Sequence, residues 1–354
     1  MSYQVVIEPL GETIEVEEEQ TILDAALRAG IYIPHACGHG LCSTCKIDVL
    51  EGDVEHGDAS PFALMDIERD EGKTLACCAI PTSDLVIEAD IDEDVDAESH
   101  LVRDFTGVVT KIDTFSPRIK GIFIAIEDDG IEFQAGQYIN LKIPGLGDEY
   151  RAFSIASPPS ENNLVELNVC LVKGGKGTEW LHTQLKVGDE LKFSGPYGRF
   201  HAHTSEPGPM LFLAGGSGLS CMKSIILDLM QKGEKRPITL MYGARNQDEL
   251  YYWDLFRELD DEYSNFTYVP ILSDEPKDSA WTGLRGLVPT VADEYYEGQF
   301  SGKKAYMCGP PPMIDACITT LMRGRLFERD MFMENFYTEA DRDTKPASPL
   351  FKSI

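Results

Sequence analysis

The chain has 354 residues, 43% of them hydrophobic, and a formal net charge of −29. This length predicts two or three domains, and no stretch approaches the run of about 18 apolar residues that a membrane span requires. The acidity disfavours nucleic acid and anionic membranes as partners. The N-terminal MSYQVVIEPL lacks the charged-then-apolar pattern of a secretory leader, and the cysteines number nine, an odd count. A reducing, cytoplasmic setting is expected, where disulfides are rare.

In chain order, Tyr3, Val5 and Ile7 alternate as on a half-buried strand, and a second short strand is expected near Thr13–Val16. TILDAALRAG reads as a helix capped by Thr21 and ended by Gly30. The run PHACGHGLCSTC follows, with Cys37, Cys42 and Cys45 spaced C-x4-C-x2-C, and TLACCA offers Cys77 and the adjacent Cys78 further on. Four thiolates suit a 2Fe–2S cluster, because each tetrahedral iron takes two protein sulfurs beside two bridging sulfides. Gly38 and Gly40 let the backbone curl around the cluster and aim N–H groups at its sulfurs. Zinc sites usually pair two C-x2-4-C knuckles, whereas here three ligands crowd one loop. A cluster of this type carries one electron at a time, so the expected business of the chain is electron transfer. Plant-type ferredoxins place one cysteine after a Leu-Ala or similar pair, and by that resemblance Cys77 is the fourth ligand. Cys170, Cys221 and Cys317 lie in apolar segments and read as core residues.

Strands through Lys46–Leu50 and DLVIEADI, with one helix packed across them, predict a β-grasp domain over 1–98. That segment holds 24 Asp and Glu against 4 Lys and Arg, a charge of −20. Such a surface serves solubility, adaptation to a salty cytoplasm, or the steering of a basic partner face. Asp90–Glu98, acidic and without periodicity, reads as a linker. From Asp104, FTGVVTKID, IKGIFIAIE, QYINLKI, LVELNVCLV and ELKFSGP predict an antiparallel barrel over 104–204. From Pro209 strands alternate with helices, which predicts a parallel α/β sheet over 205–354.

Three further segments carry chemistry. Arg151-Ala152-Phe153-Ser154 ends a barrel strand and offers a phosphate partner, a ring cover and a hydroxyl. A surface arginine and a turn serine fit the same letters. GGKGTEWLHTQL sets a glycine-rich turn before a helix expected to be capped by Thr178, either a phosphate site or an ordinary cap. Leu213-Ala214-Gly215-Gly216-Ser217-Gly218 ends a strand and opens a helix, as a pyrophosphate loop does, although it is not G-x-G-x-x-G. Cys308-Gly309-Pro310-Pro311-Pro312 arrives at the same sheet edge, where a core cysteine would also be at home.

The order RAFS, GGKGT, LAGGSG, YGAR and CGPPPM resembles the ferredoxin–NADP reductase superfamily. With the N-terminal cysteine pattern, nearly the whole chain resembles the reductase component of bacterial multicomponent oxygenases. ASPFALMDIERDE, AGGSGLS and CGPPPMIDA…RLFERDMFMENFY are most similar to the phenol hydroxylase reductase subfamily, which serves soluble di-iron monooxygenases. Two departures stand out: Phe153 where R-x-Y-S is usual, and Gly38 where arginine often follows the first ligand.

The resemblance implies FAD, held by Arg151, Ala152, Phe153 and Ser154, by Asn168, Val169 and Cys170, and by Gly175, Lys176, Gly177 and Thr178, with Phe336 closing the site. It implies an NADH site at Gly215, Gly216, Ser217, Gly218, Gly243, Arg245, Cys308, Gly309, Pro310 and Met313. Ser154, Cys308 and Glu334 would attend the reacting atoms. The implied function is NADH-dependent electron transfer through FAD and a 2Fe–2S cluster to an oxygenase docking near the acidic domain. A Rieske-type dioxygenase partner, or an electron carrier with an inactive flavin domain, are the competing readings. NADH rather than NADPH fits the absence of clustered basic residues near YGARNQDELYY.

Overall fold

The computed structural model describes residues 2–91, 94–127, 129–147 and 150–336. They divide into two compact units, one reaching Arg103 and one spanning Asp104–Phe336. Asp92 and Glu93 of the expected linker, and residues 337–354, lie outside the described residues.

The first unit contains β1 (Ser2–Glu8), β2 (Glu12–Glu17), α1 (Ile22–Arg28), β3 (Lys46–Glu51), β4 (Val54–Glu55), α2 (Asp66–Asp70), β5 (Lys73–Leu75), β6 (Ile80–Pro81) and β7 (Leu85–Glu88). Its main sheet runs β2-β1-β7-β3-β5, with β1 and β7 parallel and the other pairs antiparallel. This is a β-grasp fold. Val5 and Ile7 point inward, as their alternation predicts, and are fully buried with Val16, Ile47 and Ile87. Helix α1 lays Ile22, Leu23 and Ala26 on that face. Each such large side chain contributes roughly 1.5–3 kcal/mol of burial. Thr21 caps α1 by accepting from the Asp24 amide at 3.3 Å. The short α2 and the β4–β6 pair were beyond sequence reading, since five and two residues show no periodicity.

The second unit begins with a barrel of β8 (Arg103–Thr114), β9 (Ile119–Ile126), β10 (Tyr138–Lys142), β11 (Tyr150–Ser154), β12 (Leu164–Cys170), α3 (Lys176–Thr183) and β13 (Glu190–Tyr197). Its strand order is β11-β10-β13-β8-β9-β12, and an Ile155–Leu167 bridge nearly closes the sheet on itself. Val109, Ile122, Ile124, Ile139, Leu141 and Leu167 fill the interior. Helix α3 begins at Lys176, with Gly175 in the cap position, so Thr178 is not the cap that its sequence suggests. Its hydroxyl instead accepts from the Val172 amide at 3.1 Å and ties the preceding loop to the first helical turn.

The remaining elements are β14 (Met210–Gly215), α4 (Leu219–Gln231), β15 (Ile238–Ala244), α5 (Trp253–Glu262), β16 (Phe266–Leu272), β17 (Leu284–Arg285), α6 (Val288–Tyr295), β18 (Lys304–Gly309), α7 (Pro311–Arg323) and β19 (Met331–Asn335). They build a parallel sheet ordered β17-β16-β15-β14-β18-β19. Helices cover both faces of such a sheet, so β14 and β18 are buried at every residue and read as apolar runs. Barrel residues Ile119, Ala135 and Phe200 share one core with Phe212, Met222 and Tyr306, so barrel and sheet pack as a single body. The strand order switches direction at β14, and crevices at such points take ligands beyond the carboxyl ends of the strands.

Candidate functional site

The cysteine loop sits between α1 and β3. Gly38 and Gly40 have φ of 68° and 73°, the left-handed region that admits glycine without penalty. This curl brings the His39 and Leu41 amides to 3.4 and 3.2 Å from Cys37 Sγ. A side chain at Gly40 would put Cβ 2.7 Å from Cys78 Sγ and 3.1 Å from Ala59 Cα. The Ala76 amide donates to Cys45 O at 2.9 Å, and the Leu23 amide donates to Ala76 O at 2.9 Å. These two bonds carry Cys77 from the far end of the domain to the loop.

The Cys37 thiol is hydrogen-bonded with Cys42, and the Cys77 thiol with both Cys45 and Cys78. The bond from Cys37 lowers the Cys42 thiol to about 6, and the same bond pushes Cys37 well up. Metal takes thiolates, and a Cys42 thiol lowered to about 6 is a ready ligand. Cys37, Cys42, Cys45 and Cys77 supply four sulfurs, the number that a cluster of two irons needs at two protein sulfurs each. The donor set and its glycine cradle therefore fit a 2Fe–2S cluster. Cys78 Sγ lies 3.7 Å from Cys77 Sγ and points at Gly40. All nine cysteines are free thiols.

In the barrel, β11 pairs with β10 so that Ser154 faces Tyr138, Phe153 faces Ile139 and Arg151 faces Leu141. Ser154 is buried, Phe153 is partly buried against the barrel core, and Ala152 is exposed. A Cβ at Gly177 would come within 3.3 Å of Arg151 Cγ and 3.4 Å of Ile143 Cγ1. The arginine stem thus lies on the first turn of α3, and its Nη1 donates to Tyr150 O at 2.8 Å. An arginine held against the first turn of a helix suits a phosphate, so these residues fit a flavin dinucleotide. Lys176 is exposed on the same turn. On β12, Asn168 is buried on the outer face, Val169 points into the barrel core, and Cys170 packs toward the parallel sheet.

At the sheet switch point, β14 and β18 lie in register with Ala214 beside Cys308. Gly215 leaves room for Met313, whose Sδ would be 2.5 Å from an added Cβ. Gly218 backs onto the next strand, where a Cβ would be 2.3 Å from Cys308 O. Gly309 has φ of 151° and meets Gly215 O at 3.0 Å by the same measure. The loop Gly215–Gly218 and the segment Cys308–Met313 are therefore one construction, with α4 starting just behind it. That arrangement fits a dinucleotide's pyrophosphate. Two residues of the expected nucleotide set also pack internally. Gly243 makes room for Val288, 2.4 Å from an added Cβ, so its smallness serves packing of α6. The Cys308 thiol is fully buried, and burial, then its hydrogen bond with Cys221 of α4, pushes it well above the usual thiol range. Arg245 is exposed at the end of β15, 3.9 Å from Glu249. Glu334 lies beside Cys308 in register, and Phe336 packs against the parallel-sheet core.

Sequence reading missed Glu166, Lys223 and Tyr252. Glu166 and Lys223 form an ion pair of 2.6 Å with side chains 6% and 8% exposed. The signal was available as Glu166 and Lys223, charges inside the mostly apolar runs LVELNVCLV and CMKSIILDLM. No helix of the described residues is long and apolar enough to cross a membrane.

Three family models match the chain: a 2Fe-2S iron-sulfur cluster binding domain over residues 5–82, an oxidoreductase FAD-binding domain over 108–202 and an oxidoreductase NAD-binding domain over 212–318. The chain is 58% identical to phenol 2-monooxygenase, reductase component DmpP, of Pseudomonas sp. (strain CF600), covering 100% of both. It is 54% identical to the phenol hydroxylase P5 protein of Acinetobacter pittii (strain PHEA-2), again over 100% of both. Among solved structures, the Amycolatopsis reductase GcoB matches with TM-score 0.87 and 32% identity, covering 94% of this chain and 98% of that one. The ferredoxin reductase in carbazole 1,9a-dioxygenase matches with TM-score 0.80 and 25% identity, over 95% and 99%.

Proposed function

The chain belongs to the NADH-dependent flavin and iron–sulfur reductase components of multicomponent monooxygenases, and on that premise we propose that it serves the hydroxylase of a soluble di-iron, phenol-hydroxylase-like enzyme. The observation that carries this reading is full-length identity of 58% to a phenol 2-monooxygenase reductase component, together with a four-cysteine cluster, a flavin cradle and a nucleotide crevice in one chain. A bound FAD would supply the change from a two-electron nicotinamide donor to a 2Fe–2S cluster that carries one electron.

The residues contribute placement and electrostatics. Arg151 and the first turn of α3 hold the flavin's phosphates, Phe153 packs by its ring and the Ser154 hydroxyl serves its nitrogen edge. Gly215–Gly218 receive the nucleotide's pyrophosphate on the N-terminus of α4. Cys37, Cys42, Cys45 and Cys77 hold the cluster, with the His39 and Leu41 amides supporting Cys37 sulfur. The boundaries 1–98, 104–204 and 205–354 remain our division of labour among cluster, flavin and nucleotide.

The oxygenase docks on the acidic cluster domain, whose −20 over residues 1–98 favours a basic face. Nine free thiols suit a reducing cytoplasm. Reconstitution decides the partner: NADH-coupled hydroxylation should appear with a phenol-type di-iron hydroxylase and be absent with Rieske-type dioxygenases. The purified protein should carry FAD and about two irons per chain. Turnover only with a Rieske partner, or zinc in place of iron, would refute the proposal.

A further inference from the structure

The chain leaves β15 through Arg245 and reaches α5 by a short loop that ends in Tyr251 and Tyr252. Tyr252 takes φ of 56°, a left-handed value uncommon outside glycine. The two hydroxyls serve different partners. That of Tyr252 donates to Glu166 on β12. That of Tyr251 donates to Gly216 O at 3.2 Å, in the glycine loop between β14 and α4. Tyr251 is 3% exposed, and packing holds its ring before that hydrogen bond is counted. It stacks on Phe115, in the turn between β8 and β9, with centres 5.7 Å apart and planes at 13°. It meets Tyr242 of β15 edge-on, at 5.8 Å and 88°. Such aromatic pairs stabilise beyond the area they bury. Burial pushes the Tyr251 hydroxyl well above the usual tyrosine range, so it keeps its proton and donates.

The accepting oxygen belongs to a peptide unit whose orientation matters. Gly216 has φ of 56°, and its carbonyl also accepts from the Leu219 amide at the start of α4. A carbonyl oxygen has two lone pairs, so the amide and the hydroxyl share it. The unit is planar and trans, so drawing the Gly216 oxygen inward turns the N–H of the same unit, on Ser217, the opposite way. Ser217 O is tied back in its turn by the Ser220 hydroxyl at 2.8 Å. The loop is open at this point. A Cβ on Gly216 would meet nothing within 4 Å, whereas Gly215 and Gly218 pack against Met313 and the Cys308 backbone. Gly216 and Ser217 both keep exposed surface. A backbone amide at the start of a helix, facing open space, suits an anion.

We propose that Tyr251 is a positioning residue for the dinucleotide: by holding Gly216 O, its hydroxyl aims the Ser217 amide at the pyrophosphate. Tyr251 touches neither the nucleotide nor the reacting atoms and acts through the glycine loop alone. Its hydroxyl therefore favours any nucleotide that carries a pyrophosphate, whatever stands at the nicotinamide end. This rests on the assignment of Gly215–Gly218 to the nucleotide made above.

The test uses the full-length, FAD-loaded chain and Tyr251→Phe, which keeps the ring with its two aromatic neighbours and removes only the hydroxyl. The probes are ADP, NAD+ and 1-benzyl-1,4-dihydronicotinamide, a hydride donor with no phosphate. Calorimetry gives the affinities for ADP and NAD+, and stopped-flow absorption follows flavin reduction. Tyr251→Phe should weaken ADP and NAD+ by the same factor, about three- to tenfold. Reduction by the benzyl analogue, and the limiting rate at saturating NADH, should stay as in the wild type. Unchanged ADP affinity overturns the proposal. So does a variant that melts lower and loses reduction by the benzyl analogue as well, because Tyr251 is then a packing residue. A wild-type chain that binds neither ADP nor NAD+ refutes the nucleotide reading itself, a result decided before any variant is made.

Discussion

Glu166 Oε2 and Lys223 Nζ lie 2.6 Å apart in the interior, joining a barrel strand to the first helix of the parallel-sheet half. Removing one partner strands the other as a buried, uncompensated charge, which costs about 3–5 kcal/mol. Lys223→Met should therefore lower the melting temperature of the second unit by roughly 10 °C. Glu166→Leu combined with Lys223→Met should recover most of that loss, because an apolar pair of similar volume carries no desolvation penalty. A double variant no more stable than Lys223→Met alone would show that the pair is not an isolated electrostatic unit.

Cys77→Ser should abolish or badly destabilise the iron–sulfur cluster, and Cys78→Ser should leave it nearly intact. The Ala76 to Cys45 hydrogen bond of 2.9 Å sets Cys77 against Cys45, while Cys78 turns to Gly40. Serine oxygen is a poor ligand for iron–sulfur iron. Iron content and visible absorption read the result, and flavin reduction by NADH should persist in both variants. Cluster loss in Cys78→Ser with retention in Cys77→Ser would exchange the two roles.

Cys308→Ala should slow flavin reduction by NADH more than it weakens NADH binding. Cys308 stands at the carboxyl end of β18 against the glycine loop, and most dinucleotide affinity comes from the pyrophosphate contacts. Stopped-flow flavin reduction over a range of NADH concentrations separates the two effects. An unchanged limiting rate assigns Cys308 to packing against Cys221 alone, consistent with its full burial.

Raising ionic strength should lower the association rate with the oxygenase while NADH-to-flavin transfer, inside one chain, changes little. Asp66→Lys, Asp70→Lys and Glu71→Lys together should mimic the salt effect, since all three are exposed. Glu68 is to be spared, because it holds Lys46 at 2.5 Å and reversal there would disturb the cluster domain itself. A partner association rate insensitive to both salt and reversal would leave the acidity as a solubility feature.

Much of the fold was legible in the letters. Alternation at Tyr3, Val5 and Ile7, the Thr21 cap and the fully apolar runs of β14 and β18 report local periods that each element satisfies by itself. The short α2 and β4–β6 were invisible because their geometry comes from neighbours. Thr178 misled for a related reason: a hydroxyl near a helix start looks like a cap, and only the loop at Val172 redirects it.

By itself the sequence determined the chemistry on offer: four cysteines at cluster spacing, glycines where a backbone must curl or approach a phosphate, and the order of three cofactor segments. These are properties of residue type and local spacing. Tertiary structure alone decided which groups meet. It joined Cys77 to Cys45, laid Arg151 on Gly177, buried Cys308 beside Cys221, and set Glu166, Lys223, Tyr252 and Asn168 into one network. Apart from Glu166 and Asn168, which are neighbours on one face of β12, those partners are tens of residues apart in the chain, and no local period encodes a contact made only when strands pair and two halves share a core.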